Sequence, residues 1–216
     1  AAHILILLAA YYYNSESQKI EREKQEYLKT VNQLKTEQIV QWRKERLSTA
    51  KFFPTIGKFI KSTVELSENH SAIEPKKYFD SVLQPFKLNQ YYENIFITDV
   101  SGFVLYSMDS TYTATDEYVH TNISIAIKKD SVIFGDFYYH QTDKTIYFDL
   151  ISPLKDNNGR ILGAIIQRVN PRYNIFPLIS KWPSESKTAE SFVFGIKNER
   201  VVFLSELRHK KNPELT

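Results

Sequence analysis

Residues 15–53 contain neither glycine nor proline. Glu, Lys, Gln and Leu dominate the run, and these side chains lose little freedom in a helix. The stretch predicts a single long helix, residues 14–53, that ends where Pro54 and Gly57 interrupt the pattern. Ile20, Tyr27, Val31 and Leu34 fall on one narrow stripe, with Arg22, Glu26 and Lys29 on the opposite face. A narrow stripe suits pairing with a second copy, as in the stalk of a homodimer. It also suits a helix lying on its own domain, which is the reading preferred from Trp42 onward.

Ahead of this helix, residues 3–13 read HILILLAAYYY. The run is shorter than the ~20 residues needed to cross a bilayer. It closes on three tyrosines, residues that favour the membrane–water interface. Residues 1–13 are therefore read as the outer end of a transmembrane helix whose start lies upstream, the chain opening on Ala1-Ala2 without Met. The end of an uncleaved signal sequence and the first turns of a core helix are the other readings.

Residues 55–68 predict a further helix, and residues 71–90 a loop with short helices. After Gln90 the pattern turns to β. NIFITD (94–99) and FVLYSM (103–108) flank a Ser101-Gly102 turn. A polar loop follows, then a short helix over 122–129. VIFGDFYY (132–139), TIYFDLISPL (145–154) and RILGAIIQRV (160–169) are three more strands, separated by polar turns. Consecutive strands joined this way predict an antiparallel meander. Five strands after a long helix give an α+β fold, a long N-terminal helix packed on a five-stranded antiparallel sheet. Residues 54–170 form this domain. Residues 171–182 predict a short linker helix. Runs at 191–196 and 200–204, with Asn198-Glu199 at the turn, predict the opening hairpin of a second, smaller sheet domain within 171–216.

Composition removes several classes of function. The 216 residues include no cysteine, so disulfides, thiolate catalysis and Cys-based metal sites are excluded. A net charge of +3 does not make a nucleic-acid surface. None of His3, His70, His120, His140 and His209 is spaced to share a metal with another from one helix face. No phosphate-binding glycine loop or nucleophile elbow is present. No catalytic residue, metal or cofactor is expected.

The order of elements resembles the double Cache sensor domains, PAS-like extracytoplasmic domains of bacterial and archaeal receptors. QIVQWRKERLSTAKFF (38–53) resembles the end of their stalk helix. FITDVSGFVLYS (96–107) resembles their first hairpin, and DLISPLKDNNGRILGAIIQRVNP (149–171) their last two membrane-distal strands. WPSESKTAESFVFGIKNERVVFLSELRH (182–209) resembles the start of the membrane-proximal half. The resemblance implies a PAS-like (Cache) sheet and an extracytoplasmic small-molecule sensor in the cell membrane. It further implies a two-component histidine kinase as the parent, with a chemoreceptor or diguanylate cyclase next. The full Arg, Trp, Tyr and Asp motif of the amino-acid-binding members is not found here. Asn170-Pro171 stands where the family often has Asp-Pro.

Candidate ligand-binding residues come from polar groups in apolar strands. Asp149 sits among Ile146, Phe148 and Ile151; a buried carboxylate needs a partner, so it is either a ligand anchor or half of a structural hydrogen bond. It shares a face with Tyr147. Asp136 and Tyr138 share a face of the preceding strand, which His140 extends, and Tyr106 is placed to line the same cavity. Such a set suits a small polar or cationic ligand. Trp42 and Arg46 share a helix face, from which Arg46 is a candidate clamp for a ligand carboxylate. The competing readings are a dimeric protein-interaction domain without a small ligand, and a hydrolase using Asp136 and Asp149, which no nucleophile elbow or metal cluster accompanies.

Overall fold

The computed structural model describes residues 2–88, 92–184, 189–197, 199–205 and 207. Helix α1 runs unbroken over Ala2–Phe52, so the expected membrane and stalk segments are one helix. A 3-10 turn at Phe53–Thr55 carries Pro54, and α2 follows at Gly57–Glu68. Helix α3, Ile73–Leu88, occupies 16 residues where a loop and short helices were expected. Pro75 lies in its first turn, where a missing N–H costs nothing, and Pro85 enters only near its end.

Strands β1 (Asn94–Asp99) and β2 (Val104–Ser107) form the expected hairpin. The Asp99 carboxylate accepts from the backbone N–H of Ser101 and Phe103, and Gly102 takes a positive φ of 87°. Helix α4, Glu117–Lys129, starts earlier than expected because Asp116 caps it, accepting from the N–H of Val119 at 2.8 Å. The expected strand 132–139 is broken at Gly135 into β3 (Ile133–Phe134) and β4 (Tyr138–His140). Strands β5 (Thr145–Lys155) and β6 (Ile161–Val169) form the long central hairpin.

The sheet order is β2-β1-β6-β5-β3, with β4 also paired to β5, all antiparallel. This corrects the meander: β6 returns to pair with β1, and α4 separates β2 from β3. Gly163 makes that return possible. It has a φ of 146°, and a Cβ there would lie 1.9 Å from the carbonyl oxygen of Thr98 on β1.

The sheet has two covered faces. On one, Phe53, Phe59, Leu66, Phe79 and Leu83 of the N-terminal helices meet Ile95, Phe148, Leu150 and Ile165. On the other, Val119, Ile123 and Ala126 of α4 meet Phe96, Ile151, Ala164 and Ile166. The second face is longer than α4 can cover, and the uncovered part carries the polar residues described below.

The chain continues through a 3-10 turn at Pro171–Tyr173 into α5, Ile175–Ser180. Lys35 of α1 caps α5, its ammonium donating to the carbonyls of Leu178, Ile179 and Lys181. Tyr27 bonds Ser184 and packs edge-on to Trp182. Much of the α1 stripe is thus spent on the chain's own linker. Strands β7 (Phe194–Lys197) and β8 (Arg200–Phe203) pair as a separate two-stranded sheet. Asn198 of the expected turn and His209 lie outside the described residues.

Candidate ligand cavity

Residues on β5 and β6 alternate between faces, so Tyr147, Asp149 and Arg168 all point away from the N-terminal helices. Asp149 and Arg168 are register partners. Asp149 is fully buried and Arg168 is 3% exposed. The Arg168 Nε donates to Asp149 Oδ1 at 3.3 Å, and the Tyr138 hydroxyl donates to Asp149 Oδ2 at 2.7 Å. A second guanidinium nitrogen reaches the Tyr112 hydroxyl at 3.2 Å.

Four aromatic rings surround the same guanidinium. Its carbon lies 5.4 Å from the ring centre of Phe96, 4.8 Å from Tyr112, 5.7 Å from Tyr138 and 5.3 Å from Tyr147. Ring faces hold negative charge, so they favour a cation that water cannot reach. Burial works against the charge on Arg168, but Asp149, Tyr138 and Tyr112 together outweigh it and raise the guanidinium above its ordinary value. Burial pushes the Asp149 carboxyl up, and Arg168 and the Tyr138 hydroxyl pull it back. Burial, reinforced by the neighbouring Asp149, also raises the Tyr138 hydroxyl. Tyr118 stacks on Tyr138 at 4.3 Å and is raised to about 12, mainly by burial.

Above this group lies a cavity of about 420 Å³. Arg168, Tyr112 and Tyr147 form its floor. One wall is the loop after β2, with Asp109 and Thr111; the other is the β4–β5 turn, with His140 and Asp143; Glu93 and Asn94 close one end. The turn is braced internally. Tyr147 donates to Asp143 Oδ2 at 2.9 Å, and His140 Nδ1 lies 3.0 Å from Asp143 Oδ1. The loop is braced by Thr111, whose hydroxyl and N–H both donate to Asp109 Oδ1 and hold that carboxyl below its usual range.

The structure divides the residues expected to share one site. Tyr138, Tyr147 and Asp149 come together, with Asp149 beneath the floor rather than in the cavity wall. Tyr106 lies on the opposite face, donating to Asp80 of α3 and packing on Phe79. Tyr106 and Ile97 are register partners, so the pleat sends them both to the helix side. Trp42 and Arg46 are also on that side: Trp42 packs on Phe134 and Phe148, while Arg46 lies over Tyr92 and reaches Asn174. Asp136 is exposed at the break between β3 and β4, its carboxylate turned to the N–H of Phe137. Arg168 was not foreseen. The signal was available: a buried Asp149 demands a partner, and Arg168 is the one cation of the facing strand's interior. Among the described residues, no group of three or more His, Asp or Glu is placed to hold a metal ion.

No family model matches the sequence, and no curated protein matches it. Solved structures do. The ligand-binding domain of the Campylobacter jejuni chemoreceptor Tlp3, in complex with 4-methylisoleucine, superposes with a TM-score of 0.52 at 13% identity, over 71% of this chain and 61% of that one. The ligand-binding domain of the Pseudomonas aeruginosa amino acid chemoreceptor PctB, in complex with L-Arg, gives 0.51 at 11% identity, over 81% and 66%. That of the Pseudomonas fluorescens chemoreceptor CtaA, in complex with L-serine, gives 0.51 at 13% identity, over 77% and 66%. The chain spans about three fifths to two thirds of the length of these domains. What it shares with them is the fold, a long helix against an antiparallel sheet of the Cache type.

Proposed function

We propose that this chain is the ligand-sensing domain of a membrane-anchored signal receptor, held outside the cytoplasm, with a histidine kinase or a chemoreceptor as its output. One observation carries the reading. A cavity of about 420 Å³ stands over Arg168, Tyr112 and Tyr147 on the sheet face that α4 leaves open. Pockets for small ligands have this size, and this one combines two tyrosine rings with a polar, mostly acidic rim. The fold shared with chemoreceptor ligand-binding domains supports it. The neighbours' own ligands belong to the neighbours.

The anchor belongs to the same proposal. Leu7, Tyr11 and Tyr13 are 70%, 75% and 72% exposed, and the first turns of α1 are apolar all round. Among the described residues, no helix is long and apolar enough to cross a membrane. The apolar turns are read as the outer end of an anchor, and Ile20, 49% exposed, as part of a seam between two copies. A guest on the Arg168 side would shift β5 and β6. Their other face carries α1, tied to β5 by the Ser152 hydroxyl donating to the Ala50 carbonyl at 2.9 Å. Differential binding to two packings of α1 would be the signal.

A thermal-shift screen of the purified domain against a metabolite panel tests the reading. The expected result is a compound that raises Tm by several degrees, with the rise lost in Tyr147→Ala. A panel without effect, together with no molecule retained through purification, would overturn it.

A further inference from the structure

The charges around the cavity select one class of guest. Four carboxylates belong to it: Glu93, Asp109 and Asp143 in the walls, and Asp149 beneath the floor. Asp149 is matched by Arg168 and leaves no charge over. Asp143 is matched by His140 only when the imidazole is protonated. Glu93 and Asp109 have no ion-pair partner among the described residues lining the cavity; Asp109 is held ionised by Thr111, with a smaller contribution from Lys87 outside the lining. The cavity is therefore net negative whichever state His140 adopts. A concave site lined by one sign of charge concentrates ligands of the opposite sign.

The guanidinium adds a second constraint. Among the described residues it is the only basic side chain besides His140 in the lining, and its nearest carboxylate and two of its nitrogens are committed within the protein. An anionic guest would gain one shared cation and meet three carboxylates. The acids are also not placed to converge on a metal ion. Asp109, on the loop after β2, and Asp143, on the β4–β5 turn at the other edge of the sheet, fit a guest whose positive charges are separated by an apolar span that can lie on Tyr112 and Tyr147.

We propose that the cavity binds a small organic diamine, one ammonium toward Asp109 and the other toward Asp143, with Glu93 adding negative charge at the end of the cavity. This deepens the sensor reading and rests on it. Calorimetric titration of the whole domain with 1,4-diaminobutane, 1-aminobutane, butanol and succinate tests it. The diamine is expected to bind about tenfold or more tighter than the monoamine, a difference of about 1.4 kcal/mol, and succinate is expected not to bind. Glu93→Gln and Asp143→Asn should each weaken the diamine about tenfold. Glu93 is exposed, so its variant should keep the parent Tm and separate lost binding from lost folding.

Binding of succinate or butanol in a Tyr147-dependent manner, without a diamine response, overturns the diamine assignment and leaves the sensor reading standing. Diamine binding that neither substitution weakens overturns it too, since the charge would then be met elsewhere on the surface. Silence from all four probes, and from the wider panel, removes both.

Discussion

Arg168 is placed where a charged side chain is costly, and every neighbour offsets that cost: one carboxylate, one hydroxyl and four ring faces. Removing one partner of such a pair leaves a buried charge unmatched, typically at about 3–5 kcal/mol. Arg168→Met should therefore lower stability by that order, whereas Arg168→Met with Asp149→Leu should recover much of it; urea unfolding of the four-member cycle measures the coupling. On the other face, Gln167 is fully buried and neither its amide nitrogen nor its oxygen has a partner among the described residues. Gln167→Met should raise stability by about 1–2 kcal/mol, since an unsatisfied buried amide costs that much. Asp109 gives a pH signature. Its folded pKa is lowered, so it contributes stability in full above its unfolded value of 3.8 and loses it as pH falls through the lower folded value. Asp109→Asn should flatten the acid limb of a stability–pH curve in that window. At this scale Asp149 was legible, because a carboxylate among apolar strand residues needs a partner. Its partner was not. Counting pairs outward from a Lys155–Arg160 closure puts Ile166 opposite Asp149. The strands instead close on Lys155–Ile161, and the irregularity at Leu154/Lys155 shifts the register by one more, so Arg168 takes that place.

Elements show which local signals survive. The long helix, both hairpins and the helix at residues 57–68 follow from breakers and periodicity. Helix α3 was hidden by two prolines that the helix tolerates near its ends. The break between β3 and β4 was hidden because VIFGDFYY has strand composition throughout, and only Gly135, whose N–H donates to the Asp149 carbonyl at 2.8 Å, marks the bend. The pairing of β1 with β6 is non-local and no turn announces it; Gly163 alone hints at a close approach. Gly163→Ala would drive a methyl into the Thr98 carbonyl, so it should cost about 3 kcal/mol or more and be seen as a fall in Tm of the whole sheet. The capping of α5 by Lys35 is likewise visible only once folded. Lys35→Met removes charge-assisted hydrogen bonds. It should cost about 1–2 kcal/mol and speed amide exchange in Ile175–Ser180 before the sheet is affected.

The molecule places its cavity and its long helix on opposite faces of one sheet, and that separation makes a sensor of it in our proposal. Residues 167 and 168 sit side by side on the central strand, one facing the N-terminal helices and one facing the cavity. A guest held over Arg168 thus acts on β6, the direct partner of β5, and β5 carries α1 through the Ser152–Ala50 hydrogen bond. The sequence could supply the fold class through the order of helix, hairpin and paired strands. It could not say that Tyr106, Trp42 and Arg46 face away from the cavity, because face is set by register. A crystal structure of the domain grown with the compound that most raises its Tm examines the cavity directly. The expected result is that compound bound between Tyr112 and Tyr147, in contact with Arg168 and with a carboxylate of Glu93, Asp109 or Asp143. The same compound seated elsewhere, for example beside Arg43 and Lys51 at the β3 edge, with the cavity holding only water, would contradict it.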